Sequence, residues 1–278
     1  MVGAWSIGLT IAAWAAPAPA QPAQATAETK SVRIPGTTVE FELRRCPAGT
    51  YTPGGGETVE IGELWALTTE VTWDLYDVFV FALDEAEAGA LDAVSRPSKP
   101  YVPPDRGYGH SGYPAIGMTR KAAEAFCVWL EARTGLAARL PTRDEWVYLA
   151  SAGGAETGET GDDEVEDTSD EIAWHAGNTD GTTMPVGRTR PNAYGLYDML
   201  GNAAEWVATE QGRPIAMGGS FRDDAADCTP VSSQTQRSSW NSSDPQIPKS
   251  AWWLADCGWV GFRFVVDIER DEGDVREP

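Results

Sequence analysis

The sequence predicts an α+β fold, irregular and loop-rich, in a single domain. Three observations carry this. Helical spacing of apolar residues is confined to three stretches between Thr72 and Ala150, and alternating runs suited to strands precede them. After Trp174 the chain is strand fragments, Gly and Asn turns and tryptophans without helical period. The chain has 278 residues, 42% hydrophobic and 23% charged, so core material is ample and one large domain is the default.

Residues 4–16 form an uncharged apolar run too short to span a bilayer. Pro- and Ala-rich text follows, with small residues placed for cleavage at Ala18 and Ala20 and again at Ala23 and Ala25. Residues 1–25 therefore read as a signal peptide and linker, residues 31–267 as the domain, and 268–278 as an acidic tail. Export to a periplasm or beyond the cell would let Cys46, Cys127, Cys228 and Cys257 oxidise, with three pairings possible.

Strands are expected over Ser31 to Phe41 and again after Cys46, with a turn at Pro53 to Gly56. Thr72 caps a helix whose stripe is Trp73, Tyr76, Phe79, Val80 and Leu83, running to about Asp84. Residues 95–117, rich in Pro, Gly and Tyr, read as an irregular connection. Thr119 starts a second helix with Ala123, Phe126, Cys127 and Leu130 inward, and Gly135 ends it. Thr142 and Glu145 form a capping box before Trp146 and Val147, which starts a short third helix. Residues 155–172 carry nine acidic side chains and no basic one, so a solvated loop is expected there.

Lys and Arg number 21 against 42 Asp and Glu, a net charge of −21, which argues against nucleic acid and anionic membrane as partners. Two histidines, His110 and His175, exclude three-histidine metal chemistry. No nucleophile elbow, zincin motif, phosphate loop or dinucleotide fingerprint is present.

Six motifs occur in series: Glu70-Val-Thr, Arg139-Leu-Pro-Thr-Arg-Asp-Glu-Trp146, Asn192-Ala-Tyr-Gly-Leu-Tyr-Asp198, Gly201-Asn-Ala-Ala-Glu-Trp206, Gly218-Gly-Ser-Phe221 and Gly261-Phe-Arg263. In this order they resemble the formylglycine-generating enzyme, or sulfatase-modifying factor, family over about residues 35–267. The resemblance implies a variant of the C-type-lectin fold. It also implies a structural calcium held by Asp198 and Glu205 side chains and Gly201 and Ala203 carbonyls, oxygen ligation that suits this ion. A second calcium loop of the family matches Asn178-Thr179, but the loop here is shorter. The alternative for the first site is that Glu205 pairs with a buried Arg and Asp198 caps a turn.

The family's oxidases hold Cu(I) linearly between two thiolates five residues apart and oxidise a substrate cysteine with O2. Counted from Gly218-Gly219-Ser220-Phe221, those positions fall on Asp223 and Cys228. One sulfur is missing, and a carboxylate is a poor Cu(I) ligand. Cys228 and Cys257 flank an insertion and are candidates for a disulfide.

Two readings follow. The first is a binding or scaffolding module for a protein, a peptide or a glycan, with a groove lined by Trp206, Ser220, Arg222, Asp223, Trp252, Trp253 and Arg263; core packing is the alternative for the two adjacent tryptophans. The second is a formylglycine-generating oxidase, either with Cys257 replacing the missing thiolate or with an altered copper site. An acid/base pair of Arg222 and Asp223 is a weaker third, since neighbouring opposite charges are usually a surface pair.

Overall fold

The computed structural model describes residues 28–54, 56–85, 96–97, 103–153, 165–209 and 212–268. The signal peptide, most of the tail and the first part of the acidic segment lie outside the described residues.

A five-stranded antiparallel sheet runs in the order Thr29–Arg33, Glu40–Cys46, Leu64–Leu67, Val265–Asp267, Ala138–Arg139. Along Glu40–Cys46 alternation sets the faces at first, with Phe41 and Leu43 buried and Glu40 and Glu42 exposed, and it ends at Cys46, which is buried on the glutamates' side in the smaller cluster. The strand Gly49–Tyr51 pairs with Val59–Ile61 across the turn at Pro53.

Three capped helices follow the expectation closely. Helix α1 (Trp73–Phe81) starts at Thr72, whose hydroxyl accepts from the Leu75 N–H. It ends three residues before Asp84, because Ala82 takes the left-handed conformation (φ 52°) and turns Leu83 out to solvent at 58% exposure. Helix α2 (Arg120–Thr134) is capped by Thr119 and closed by Gly135 at φ 74°, where a glycine carries no Cβ penalty. Helix α3 (Arg143–Ala150) has the reciprocal box: the Glu145 N–H donates to Thr142 Oγ1 and the Thr142 N–H donates to Glu145 Oε2.

The acidic segment departs from the expected loop. Its end forms helix α4 (Val165–Ile172), fastened by Asp170 to His175 Nε2 at 2.8 Å and by Glu171 to Arg190. These contacts supply what the composition does not show.

The second half is made of fragments, as its sequence suggests. A four-stranded sheet runs Ser233–Thr235, Ile215–Met217, Ala204–Val207, Val260–Gly261, with the last pair parallel. Ala173–Trp174 pairs in parallel with Leu200–Gly201. Gly201 sits at φ 74° with its Cα so close to the Trp174 backbone that a Cβ would lie 2.1 Å from the Trp174 carbonyl oxygen, so only glycine fits.

Two apolar clusters result. The larger holds the aromatic set Tyr76, Phe79, Phe126, Phe262 and Phe264, with Phe126 edge-on to Phe79 and Phe262 at 5.7 and 5.3 Å. The smaller gathers Trp146, Leu149, Leu196, Met199, Met217 and Val265. Replacing Thr142 by Ala removes the α3 cap, and we expect a loss of about 1 kcal/mol in urea unfolding at unchanged m-value.

Candidate functional site

Between the two clusters lies a buried polar centre built from five of the six motifs. Arg263 is fully buried and bonds Glu205 through Nε (2.9 and 2.7 Å) and Nη2 (2.7 Å). Its remaining N–H groups donate to the carbonyls of Leu67, Tyr197 and Asp198. The Trp146 indole N–H donates to Glu205 Oε2 at 2.7 Å. Burial disfavours the guanidinium charge, but Glu205 outweighs it and holds the Arg263 pKa above its ordinary value.

Asp198 and Glu70 share this centre. Asp198, at φ 52°, accepts from the Gly187 N–H and at 2.8 Å from the Thr189 hydroxyl. Burial still raises its pKa. Neither carboxylate oxygen of the fully buried Glu70 has a hydrogen-bond partner among the described residues. Burial and then the neighbouring Asp198 and Glu205 push its pKa well above 4.5, so it is protonated where ordinary carboxylates are charged.

This is the second of the two arrangements the sequence left open. Glu205 is bonded by Arg263 and Trp146, Asp198 by two protein donors, and the guanidinium charge lies against the carboxylate a divalent cation would need. The Asp198 and Glu205 oxygens expected to face calcium are thus engaged by protein donors. Asn178 likewise turns inward, its amide oxygen accepting from the His175 N–H and its Nδ2 donating to the Ala173 carbonyl.

The structure does bring Asp223 and Cys228 together. Asp223 Oδ2 accepts from Ser220 Oγ at 2.7 Å and from Gln234 Nε2 at 3.0 Å. Cys228 Sγ lies 3.8 Å from the Ser220 carbonyl. Burial, then Asp223 and Asp227, push the Cys228 thiol up to about 12. The expected Cys228–Cys257 disulfide is a correction: all four cysteines are free thiols. Cys228 faces Ser220 among acidic residues, whereas Cys257 is fully buried near Arg106 and Arg222, its pKa also pushed up to about 12, chiefly by burial.

The groove expected from the tryptophans is corrected too. Trp206 and Arg263 are fully buried, and Trp206 donates to the Met118 carbonyl. Trp252 is buried with Lys121 over its ring at 5.1 Å, and Trp253 packs edge-on against Tyr76 at 6.0 Å. Apolar area won over ligand contact at each. An aromatic contact the sequence did not mark joins an exposed arginine to a half-buried ring: Arg222 stacks over Trp259 at 4.3 Å, and the Trp259 indole donates to Gln234. An open cleft of about 710 Å³ lies on the segment around 236–254.

Comparison with known proteins decides the lineage. Residues 16–268 match the family described as sulfatase-modifying factor enzyme 1-like domain. The chain belongs to this family. The sulfatase-modifying factor domain is 34% identical over 109 residues to a formylglycine-generating enzyme of Mycobacterium tuberculosis, a match covering 36% of this chain and 34% of that enzyme. It spans 14% to 34% of the length of the curated relatives it matches. Among solved structures, Treponema denticola variable protein 1 is similar at TM-score 0.60 and 20% identity, covering 86% of this chain and 98% of that one. PvdO from Pseudomonas aeruginosa is similar at TM-score 0.58 and 21% identity, covering 85% and 100%. These likenesses confirm the irregular α+β fold. No helix among the described residues is long and apolar enough to cross a membrane.

Two outcomes test the centre of this sulfatase-modifying factor domain. Because the folded Glu70 holds its proton above the unfolded value of 4.5, its contribution to stability is fully present below 4.5 and lost as pH rises through the folded pKa. Glu70→Gln should flatten the fall in melting temperature with rising pH in that window. Calcium at about 1 mM, the level to which extracellular calcium modules respond, should leave the melting temperature unchanged; a saturable rise would show a cation displacing the Arg263 contact.

Proposed function

We propose that this sulfatase-modifying factor domain is an exported binding module that keeps the family fold without its oxidase chemistry. The observation that carries this is the pair at the family's copper positions. One is a carboxylate tied to Ser220 and Gln234, and the other is a buried thiol with its pKa pushed up to about 12. Cu(I) needs soft thiolate donors, and a thiol with that pKa stays protonated at neutral pH. These residues do not fit the ion. Cys257 offers no substitute, since its thiol is fully buried and equally reluctant to ionise.

The partner is a protein, a peptide or a glycan rather than nucleic acid, whose dense phosphate charge a chain of net charge −21 repels. The oxidase reading keeps one observation in its favour: Cys228 occupies the second cysteine position beside Asp223.

The test is to incubate the reduced full chain with Cu(I), O2 and a sulfatase peptide containing the target cysteine, reading conversion to formylglycine by mass. We expect no conversion and no stoichiometric Cu(I) binding by the wild-type protein. Asp223→Cys, which adds a sulfur beside Cys228 and removes a negative charge that raises its pKa, should bind one Cu(I). Conversion by the wild type that Cys228→Ser abolishes would overturn the proposal.

A further inference from the structure

The cleft around residues 236–254 stands apart from the copper positions, since none of Ser220, Asp223 and Cys228 lines it. An inference drawn from it is therefore independent of whether oxidase activity survives. Its volume of about 710 Å³ falls within the range of small-molecule sites, roughly 300–1,000 Å³.

Its lining is unlike the rest of the molecule. The chain carries 42 acidic residues against 21 basic ones, yet the cleft wall has Arg237 and Lys249 and no carboxylate. Arg237 is exposed, and while its carbonyl accepts from the Trp240 N–H, its side chain makes no hydrogen bond or ion pair with any described residue. Most other arginines are committed to acids, as in the pairs Arg33–Glu40, Arg45–Glu63, Arg96–Asp84, Arg139–Glu145 and Arg190–Glu171.

Asp244, within this loop, and Asp256, just after it, are held by the loop's own donors and do not line the cleft. Asp244 accepts from the N–H groups of Gln246 and Ser250 and from Asn241 Nδ2. Asp256 accepts from the Ser242 hydroxyl and the Ser243 N–H. Lys249 donates to the Ser242 and Asp244 carbonyls, which uses two of its three N–H groups and fixes the charge at the rim. Thr119, the N-cap of α2, brings the positive end of a 15-residue helix to another wall.

The remaining polar wall is short hydroxyl and amide side chains: Gln236, Ser238, Ser239 and Ser250. Ser250 Oγ accepts from the Trp252 and Trp253 N–H groups, leaving its own hydrogen to donate. Groups that both donate and accept at short spacing match vicinal hydroxyls, and an unpaired guanidinium matches a planar carboxylate through two parallel N–H bonds. A sugar acid carries both.

We infer that this cleft is a binding site for an acidic saccharide, with Arg237 pairing a uronate carboxylate and the Ser and Gln side chains bonding ring hydroxyls. The proposal goes beyond the binding-module reading by naming site and ligand class.

The experiment is calorimetric titration of the full chain at low salt with a galacturonate trimer, against the neutral galactose trimer and against acetate. We expect saturable binding of the uronate alone, weakening with added salt. Arg237→Gln should lower that affinity about tenfold or more with no change in melting temperature, since the side chain holds nothing in the fold. Absence of uronate binding, equal binding of the neutral trimer, or an affinity indifferent to Arg237→Gln would overturn the assignment. Acetate binding as tight as the uronate would overturn its saccharide part.

Discussion

The structure depends on the fully buried ion pair of Arg263 with Glu205, because the groups around it come from every part of the chain. Leu67 belongs to the five-stranded sheet, Trp146 to α3, Tyr197 and Asp198 to a turn, and Glu205 to the four-stranded sheet. A guanidinium presents five donors in a rigid plane, so one side chain fixes the relative position of four segments that little regular structure connects. Such a pair gains little over an apolar replacement of both partners, whereas loss of one partner leaves an uncompensated charge and costs about 3–5 kcal/mol. Its contribution is to specify which fragments meet.

Glu70 shows the same constraint from the other side. With Asp198 and Glu205 nearby and one arginine to balance them, three ionised carboxylates would leave unbalanced negative charge in a dry centre. The centre resolves this by keeping Glu70 protonated. A guanidinium and a proton together do the balancing that a divalent cation would do among the same carboxylates.

Much of the first half was legible in the sequence because its signals are local. Thr72, Thr119 and Thr142 cap helices through bonds to backbone two or three residues on, so each start could be read from a few letters. The end of α1 and the helix at Val165–Ile172 were not legible, since a left-handed Ala82 and the contacts of Asp170 and Glu171 with His175 and Arg190 depend on tertiary neighbours. At the site, Asp223 and Cys228, picked out by motif order, both contact Ser220. The tryptophans misled: Trp206 and Trp252 look the same in sequence whether they line a groove or fill a core, and burial of a large aromatic decided it. Glu205 was read together with a buried arginine only as an alternative, because partners 58 residues apart leave no spacing signal.

The acidic composition also governs how the arginines are used. Self-repulsion in a chain of net charge −21 is relieved where arginines sit between acids, as Arg96 and Arg133 both do against Asp84 and Glu85. Each cation committed in this way is lost to ligands. The segment 236–254 reverses the pattern, tying its one aspartate, Asp244, to backbone N–H groups and leaving Arg237 without an acid. Backbone donors stabilise a carboxylate without consuming a guanidinium, and so a net acidic surface can still carry a local positive site. The family fold supplies a rigid centre in Arg263 and Glu205, and the inserted segment supplies a site whose charge owes nothing to the copper positions.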